Sequence, residues 1–448
     1  MSSTTKYAVA VIGAGPAGLY ASKQLVGEGV QVVLLNRDIK PGGLAEYGIY
    51  KDKHKMKAGL RKQFRRILDS TEITYFGNVT VGEQGDLTLA ELEALGFQAL
   101  LVTVGAQGTK WLGLPGEDLR GVYHAKDIVY HYNNLPPFSQ QEFAIGRRVA
   151  VIGVGNVMID IAHWLIRDLH VEEVIAVARR GPAEVKFTKK EMEHVARNLD
   201  TQALDDEIER VSGYMKAVDQ DPEAAKEFIL SALPKAEEPV SDTRFRFEFL
   251  SSPSKILGDE DGNVCGLEVD DTKLVPRNGD TKAERLGTKR VLDVDTVVFC
   301  IGDKVDETFG LPVEWNEYVK SPTPRYPIKE ASYEVFDPQE SKPLANIFVA
   351  GWSREASSGL VGVARKDGEN AAMAVVEYLK TLEPLEDPTE VVAKLGSRLS
   401  QLDKPVISKQ DWQRLEEVEQ AEAEKQGLEA FKFGSNEEML AVINREAV

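Results

Sequence analysis

The hydrophobic and polar positions of the chain follow one order twice: a short apolar run, a glycine turn, an amphipathic stretch and a second apolar run. The first copy reads YAVAVI, GAGPAG, LYASKQLVGEG and QVVLLN, starting at Tyr7. The second copy reads RRVAVI, GVGN, VMIDIAHWLIRDL and VEEVIAVA, starting at Arg147. Apolar runs of this length predict buried strands, and the amphipathic stretches predict helices. Each copy therefore predicts a strand–turn–helix–strand unit.

Further apolar runs indicate more strands. ALLVTV (99–104), TVVFCI (296–301) and NIFVA (346–350) are each followed by glycine, as expected of parallel strands that carry ligand sites at their carboxyl ends. Charged turns such as GDEDGN predict a meander over residues 254–291, and residues 200–242 predict a polar helical excursion. The acidic tail after Leu382 predicts helices that cover the first domain. The predicted fold class is α/β with two Rossmann-like dinucleotide-binding domains.

Composition narrows the function classes. The 448 residues carry a formal net charge of −18, which argues against non-specific binding to nucleic acid or anionic membranes. No apolar run reaches the roughly 20 residues that span a bilayer, and the start of the chain lacks a targeting pattern, so we expect a cytoplasmic protein. Cys265 and Cys300 are the only cysteines and do not form a CxxC pair or a cluster ligand set.

One segment departs from the acidic balance. KDKHKMKAGLRKQFRR, which begins at Lys51 and ends at Arg66, holds eight Lys and Arg residues against one Asp. We call residues 51–66 the basic segment. It is either a solvated helix face or a docking patch for an acidic partner, since local positive charge steers an acidic protein to one place.

The two turns carry the chemistry. Gly13, Gly15 and Gly18 have the GxGxxG spacing, in which the glycines allow the tight turn, the approach of a pyrophosphate and the close packing of helix on strand. The second turn keeps Gly153 and Gly155 but has Met158 at the third position, so we expect its helix to pack slightly further from its strand.

The ends of the second strands distinguish the two copies. The first ends in Asn36, where an acid usually holds the ribose hydroxyls, and Asn36 can bind a hydroxyl without charge assistance. The second is followed by Arg179 and Arg180, which can clamp a 2′-phosphate and so favour NADP(H) over NAD(H). Hydrogen bonds to charged groups contribute about 1.5–3 kcal/mol each. The alternative is two arginines that merely face solvent.

Two carboxylates of the second copy are candidates for the redox site. Asp160 lies on the predicted helix and Glu191 lies beyond FTKK. Hydride transfer depends mainly on geometry, so we expect them to hold the carboxamide of the nicotinamide and to tune protonation nearby. Each could equally be a solvated carboxylate on a helix face.

The order of the motifs resembles a known family. GAGPAGLY, GGLAEYGI, VTVGA, GVGNVMIDIA, ARRGPAEVKFTKKE and AGWSREASSGLVG, followed by DKPVISKQDWQRLEEVE and NEEMLAVI, resemble the adrenodoxin reductase family of ferredoxin–NADP reductases over nearly the whole chain. This implies FAD at the first turn and NADP(H) at the second. It also implies that the NADP domain (107–303) is inserted into the FAD domain (1–106 and 304–448, the latter with the helical tail).

The resemblance also implies the site residues and the reaction. FAD contacts are expected from Gly13, Gly15, Ala17, Gly18, Asn36, Leu44, Val79, Gly105, Trp352, Gly359, Leu360 and Val361. NADP(H) contacts are expected from Val154, Gly155, Asn156, Val157, Arg179, Arg180 and Glu191, with Asp160 and Glu191 beside the redox centre. The expected activity takes electrons from NADPH through FAD to a ferredoxin-type iron–sulfur protein. In this chain, the candidates for docking that protein are the basic segment, Arg244 and Arg246.

The chain departs from the family pattern at three places. It reads Arg354-Glu355-Ala356-Ser357 where the family has a lysine or arginine followed by Gly-Pro, and Lys51-Asp52-Lys53 where the family has Pro-Asp-His, with His54 one place later. Ser251 lies at or near the position of a basic docking residue.

Two other functions stay open. The chain could be the electron-input subunit of a larger complex, as in glutamate synthase small subunits, although it lacks their N-terminal cysteine clusters. It could also be a flavin-binding redox sensor or scaffold without useful turnover. Dithiol reductases of the thioredoxin reductase type need a CxxC pair, which this sequence does not have.

Overall fold

The computed structural model describes residues 5–357 and 359–444. Its strands are β1 (Tyr7–Ile12), β2 (Val30–Leu35), β3 (Ile73–Phe76), β4 (Ala99–Val102), β5 (Gly108–Thr109), β6 (Val122–His124), β7 (Arg148–Ile152), β8 (Glu173–Val177), β9 (Arg244–Glu248), β10 (Ser251–Gly258), β11 (Val264–Arg277), β12 (Asp280–Leu292), β13 (Thr296–Phe299), β14 (Asp303–Lys304), β15 (Val313–Glu314), β16 (Glu317–Tyr318), β17 (Glu334–Asp337) and β18 (Lys342–Val349). Its α-helices are α1 (Pro16–Gly27), α2 (Leu44–Tyr47), α3 (His54–Leu68), α4 (Leu89–Ala94), α5 (Ala125–Tyr132), α6 (Asn156–Arg167), α7 (Lys189–Met192), α8 (Thr201–Lys216), α9 (Pro222–Leu230), α10 (Val361–Leu379), α11 (Pro388–Leu399), α12 (Lys409–Gln426) and α13 (Asn436–Ile443).

The chain divides into two compact units. The first unit contains Met1–Thr109, Tyr130–Gln140 and Gly302–Val448, and the second contains Lys110–Val129 and Gln141–Ile301. In chain order the second unit is therefore inserted into the first. The segment Tyr130–Gln140 belongs to the first unit, whereas the sequence-based range 107–303 had placed it in the inserted domain. Residues 1–4, on which the targeting prediction partly depends, lie outside the described residues.

A six-stranded sheet forms the centre of the first unit, in the order β17-β18-β4-β1-β2-β3. β1 pairs in parallel with β2 and β4, and β17 is antiparallel to β18. Both faces of β1 are buried because Val9 and Val11 pack on one side while Ala8, Ala10 and Ile12 pack on the other. This double burial explains why the strand is a continuous apolar run and not an alternating one.

The second unit repeats this arrangement with a five-stranded sheet in the order β6-β13-β7-β8-β9, in which every pairing is parallel. The predicted meander is confirmed as the antiparallel sheet β10-β11-β12. Its Ile256 and Leu267 pack in one core with Ala150 and Ile175 of the parallel sheet. The predicted excursion contains α8 and α9.

The tail folds against the first unit, as predicted. Trp412 and Leu415 of α12, and Met439 and Ile443 of α13, are buried in the same core as Val9 and Val11. The tail is therefore part of the folded body of this unit and contributes to its hydrophobic core. Within the described ranges, every helix is too short or too polar to span a bilayer.

Candidate functional site

The first glycine turn lies between β1 and α1 and is held against the neighbouring strands. The Gly13 amide donates to the carbonyl of Leu35 at 2.7 Å. Gly13 has a φ of +109°, and a Cβ there would lie 2.5 Å from the carbonyl oxygen of Thr103. Both the left-handed backbone and the adjacent carbonyl exclude a side chain, so glycine is required by the fold itself.

The same turn leaves no room for a side chain at Gly18. A Cβ at Gly18 would lie 2.0 Å from the carbonyl oxygen of Gly13 and 2.5 Å from the hydroxyl of Thr103. That hydroxyl donates to the Gly13 carbonyl at 2.7 Å and contacts the Ile12 carbonyl at 3.0 Å. α1 therefore packs directly on the turn, and Thr103 fixes the turn from the end of β4.

Gly15 differs from both. Its backbone is extended, with φ −77° and ψ −178°, which any residue adopts, and a Cβ there would meet no protein atom within 4 Å. Gly15 is also the N-cap of α1, and no side chain caps that helix. Neither packing nor backbone strain explains this glycine, and its open position leaves the first amides of the helix accessible to an anion such as a pyrophosphate.

The second turn, between β7 and α6, has the same geometry at its first two glycines. The Gly153 amide donates to the Val177 carbonyl at 3.0 Å, and with φ +128° a Cβ would lie 2.5 Å from the Cys300 carbonyl oxygen. Gly155 has an extended backbone, with φ −102° and ψ −178°. It is the N-cap residue of α6, no side chain caps that helix, and a Cβ at Gly155 would meet no protein atom within 4 Å. The two turns are therefore structurally equivalent at these positions.

The third position is where the turns diverge. Met158 is fully buried and has a side chain where Gly18 could have none. The rest of the second turn is held by the loop before α7, because the Thr188 amide donates to the Asn156 Oδ1 at 2.9 Å and the Lys186 amide donates to the Val154 carbonyl at 2.8 Å. The neighbouring Val157 side chain is 42% exposed, so it lies at the open side of the turn.

The two arginines after β8 are not equivalent. Arg180 Nη1 lies 3.5 Å from the Asp280 carboxylate and 3.9 Å from the Glu184 carboxylate. Arg179 is exposed, and among the described residues no carboxylate lies within ion-pair distance of its side chain. Only Arg179 therefore presents a full positive charge to solvent at the end of the strand.

Asp160 and Glu191 belong to neighbouring elements of the second unit. Asp160 is half-buried on α6. Glu191 lies on α7, where its amide donates to the Thr188 hydroxyl at 3.3 Å, and its carboxylate lies 3.7 Å from His194 Nε2. The Asn156–Thr188 hydrogen bond joins the start of α6 to the residue before α7, so both carboxylates lie on elements attached to the second turn.

Both polar atoms of the Asn36 side-chain amide form hydrogen bonds with the protein backbone. Its Oδ1 accepts from the Ala14 amide at 3.1 Å, and its Nδ2 donates to the carbonyls of Asp38 at 2.8 Å and Lys40 at 3.0 Å. The side chain is nearly fully buried. Asn36 thus connects the glycine turn to the loop after β2, and a ribose hydroxyl could bind its amide only by replacing one of these bonds.

The other predicted FAD residues occupy three places in the first unit. Ala17 packs against two glycines, since a Cβ at Gly351 would lie 2.8 Å from its Cβ and one at Gly368 would lie 2.2 Å from its carbonyl oxygen. The remaining residues lie in loops and at helix starts: Leu44 begins α2, Val79 is buried and donates its amide to Asn36, Gly105 follows β4, Trp352 lies in the 3₁₀ turn Gly351–Ser353, and Gly359, Leu360 and Val361 precede or begin α10.

Two residues that support this region were missed by the sequence interpretation. Thr103 stands in the quoted VTVGA motif, and its hydroxyl holds the first turn. Asp367 of α10 accepts from the Gly351 amide at 2.7 Å and from the Arg354 Nη2 at 2.7 Å. The ion pair gives Arg354 a structural role, which the departure from the family pattern at this position did not reveal. No local sequence signal identifies Asp367.

The candidate docking residues are in different environments. Within the basic segment, α3 buries Lys57 while Lys55, Lys62 and Arg66 are exposed, so the expectation of a wholly solvated face is wrong at Lys57. In the second unit, Arg244 and Arg246 both contact Glu173, at 2.7 and 2.9 Å, so much of their charge is neutralised.

Ser251, the third departure, is buried and lies 2.6 Å from Arg290 Nη2. A guanidinium from β12 therefore reaches Ser251, which lies at or near the position where the family is expected to have a basic residue.

The chain is similar to several known proteins. A family model described as pyridine nucleotide-disulphide oxidoreductase matches residues 7–220, which include both glycine turns. The chain is 27% identical over 473 aligned positions to the NADPH-ferredoxin reductase FprA of Mycobacterium leprae, covering 97% of this chain and 98% of the relative. It is 25% identical over 463 positions to the mitochondrial NADPH:adrenodoxin oxidoreductase of Arabidopsis thaliana, covering 95% and 92%.

A solved structure gives the same result in three dimensions. Mycobacterium tuberculosis FprA in complex with NADPH superposes with a TM-score of 0.79 and 26% sequence identity, covering 98% of this chain and 99% of the other. The similarity thus includes both units and the tail.

Proposed function

Because the chain belongs to the adrenodoxin reductase-type ferredoxin–NADP reductase family, we propose that it transfers electrons from NADPH through FAD to a ferredoxin-type iron–sulfur protein. The observation that carries this proposal is the repeated turn. Gly15 and Gly155 are both glycines that the protein's own packing does not require, each at the uncapped start of a helix. One chain with two such openings fits a protein that binds two dinucleotides.

The first turn fits FAD. The opening at Gly15 accepts the pyrophosphate, and the first-turn amides of α1 provide donors and partial positive charge. Gly13 and Gly18 hold the helix and strand close enough to form this cradle. Bound FAD would accept a hydride from NADPH and release electrons one at a time. The chain's own residues bind and orient it there.

The second turn fits NADPH. Gly155 gives the corresponding opening, and Arg179 is the exposed cation at the end of the next strand, where the 2′-phosphate of NADPH would bind. Arg180 contributes less because Asp280 and Glu184 already contact it. Asp160 and Glu191 would orient the nicotinamide, and Glu191 is the better placed to interact with a titratable neighbour because His194 lies 3.7 Å away.

The partner would dock on exposed cations of the basic segment. Lys55, Lys62 and Arg66 are exposed on α3, whereas Arg244 and Arg246 are paired with Glu173. Long-range attraction to an acidic partner requires uncompensated charge, and it weakens with salt. The α3 cations therefore fit this role better than the β9 arginines.

The test is anaerobic stopped-flow absorbance of the purified flavin-loaded protein. We expect NADPH to bleach the flavin band much faster than NADH, and subsequent mixing with an oxidised acidic ferredoxin to restore the band. Bleaching without reoxidation by any acidic ferredoxin would contradict the proposed acceptor. Equal rates with NADPH and NADH would contradict the cofactor assignment, and absence of bleaching would contradict the enzyme.

A further inference from the structure

A buried group of charged side chains in the first unit contains more cations than carboxylates. Lys40, Glu46, Lys57 and Glu419 are each at most 5% exposed, and Arg61 and Lys432 contact the same group. The group consists of Lys40, Glu46, Lys57, Arg61, Glu419 and Lys432, which gives four cations and two carboxylates. Buried charge without a counter-charge is costly, so this imbalance requires an explanation.

Both carboxylates of the group already form ion pairs with Arg61, Lys432 or Lys40. Glu46 accepts two hydrogen bonds from Arg61, at 2.5 and 2.7 Å, and one of its oxygens lies 2.8 Å from Lys432 Nζ. Glu419 pairs with Lys40. Burial alone would raise the pKa of Glu46, yet Lys432, Lys40 and Arg61 together hold it well below its ordinary value. No carboxylate of this group is left to neutralise Lys57.

Among the described residues, Lys57 is the cation of this group that no carboxylate contacts. Its Nζ donates to the Asn133 Oδ1 at 2.5 Å, and among the described residues no carboxylate lies within 4.0 Å of it. Burial, and then the nearby Lys432, lower the pKa of Lys57 to about 7, although the charges of Glu46 and Asp52 oppose that change. Burial also lowers the pKa of Lys432 to about 8, although Glu46 opposes that change.

Lys57 and Lys432 line a cavity of about 140 Å³ within the first unit. Its other charged or titratable lining residues are Lys51, His54, Arg61, Tyr132 and Glu429. Glu429 is the only carboxylate of this lining, and with its side chain 75% exposed it lies at the rim, 4.0 Å from His54. The volume holds several water molecules, so it can hold a group of four or five heavy atoms.

We propose that this cavity is a binding site for a small oxyanion of sulfate, phosphate or carboxylate chemistry, held between the ammonium groups of Lys57 and Lys432. The anion supplies the counter-charge that Glu46 and Glu419 cannot supply, and charge-assisted hydrogen bonds hold its oxygens. The site involves neither glycine turn.

The first test is calorimetric titration of the purified flavin-loaded protein with sulfate and with acetate at pH 7, with chloride as the background salt. We expect wild type and Lys62→Met to bind alike, and Lys57→Met to bind at least about tenfold more weakly because it loses a charged donor. Lys62 is exposed on the same helix, so its variant has the same change in charge without touching the cavity. Equal binding by both variants, or none by wild type, would overturn the site.

Lys57→Met replaces an unpaired buried charge by an apolar side chain of similar length, so we expect it to fold. Should it not fold, Lys57→Gln repeats the test, because glutamine is neutral and can still donate to Asn133. The expected and overturning results are the same as for methionine.

A second arm, which rests on the proposed function, identifies the source of the anion. If sulfate weakens ferredoxin binding more than chloride at equal ionic strength, in wild type but not in Lys57→Met, the occupant is a partner's carboxylate. If the two salts act alike, the occupant is a free anion, and both results keep the site. Failure of electron transfer with intact sulfate binding would count against the proposed function alone.

Discussion

The two glycine turns agree at two positions and differ at the third. Gly13 and Gly153 each have a strand-end carbonyl 2.5 Å from the position of a Cβ, and Gly15 and Gly155 each face open space. At the third position, Gly18 has no room for a side chain, while Met158 has a fully buried one. The first glycine is thus required by the neighbouring strand, and the third is required only by the packing of one helix. The protein's own packing does not require the second glycine, which we propose leaves room for a ligand.

The residues that follow the second strand of each copy also differ in their environments. Asn36 is consumed by three backbone hydrogen bonds within the first unit, whereas Arg179 extends into solvent in the second. Asn36 therefore stabilises the loop that follows its strand, whereas the exposed Arg179 is the residue that we propose contacts the ligand. Cofactor selectivity is therefore expected from the second turn, and tight structural constraint from the first.

The largest expected effect is that of Gly18→Ala. The new Cβ would lie 2.0 Å from a backbone oxygen, which cannot move without opening the turn. We expect the first unit to lose about 3 kcal/mol or more of stability, together with its FAD. Urea unfolding followed by flavin fluorescence measures both. A variant that is yellow and as stable as wild type would contradict the close packing of α1.

Met158→Ala is the matched change in the second turn. Removing this buried side chain leaves a cavity and should cost about 2–5 kcal/mol in the second unit. FAD content should stay at the wild-type level, because the cavity lies outside the first unit. Circular dichroism gives the unfolding midpoint and absorbance gives the flavin content. Loss of FAD from this variant would contradict the claim that the second turn does not contribute to FAD binding.

Arg179→Ala should remove most of the preference for NADPH. The lost charge-assisted hydrogen bonds contribute about 1.5–3 kcal/mol, which corresponds to a tenfold or larger change in the NADPH to NADH ratio of kcat/KM. Arg180→Ala should have a smaller effect because of its carboxylate neighbours. Arg147, which is exposed and paired with Glu172, provides the control variant Arg147→Ala. If Arg180→Ala lowered the NADPH to NADH ratio more than Arg179→Ala, Arg179 would not be the main residue that binds the 2′-phosphate.

Asn36→Asp tests whether the first strand end is structural. Aspartate is the usual ribose ligand at this position, so a ligand role predicts equal or tighter FAD binding. The structure predicts the opposite, because aspartate cannot donate to the carbonyls of Asp38 and Lys40, which costs about 1–3 kcal/mol. The thermal unfolding midpoint and the FAD dissociation constant distinguish the two roles. A lower midpoint supports the structural role, and an unchanged midpoint with equal or tighter FAD binding contradicts it.

The sequence predicted those parts of the fold that depend on local pattern. β1 matches the run YAVAVI residue for residue, and β7 differs from RRVAVI by one residue at its start, because both strands are buried on both faces. The equal roles of Gly13 and Gly153 follow from the same local order. The tail after Leu382 is also helical, as its sequence predicted.

Contacts between distant segments could not be predicted in this way. Lys57 looks like one more cation of a solvated helix, and its burial depends on Asn133 and Lys432, which are far away in sequence. The return of Tyr130–Gln140 to the first unit has no local signal either. Asn36 looks like a ligand residue until the backbone groups that use its amide are known.

The central claim is that Gly15 makes room for FAD and Gly155 makes room for NADPH. Gly15→Ala and Gly155→Ala strain neither the backbone nor the packing, since both residues are extended and a Cβ meets no protein atom. Gly59→Ala on α3, where a Cβ is also unobstructed, is the control. The measurement is FAD content together with NADP⁺ affinity in all three variants.

We expect Gly15→Ala to lose FAD while still binding NADP⁺, Gly155→Ala to keep FAD while losing NADP⁺ affinity, and Gly59→Ala to change neither. If Gly155→Ala lost FAD, or if both turn variants bound both dinucleotides as wild type does, the assignment of one dinucleotide to each turn would be contradicted.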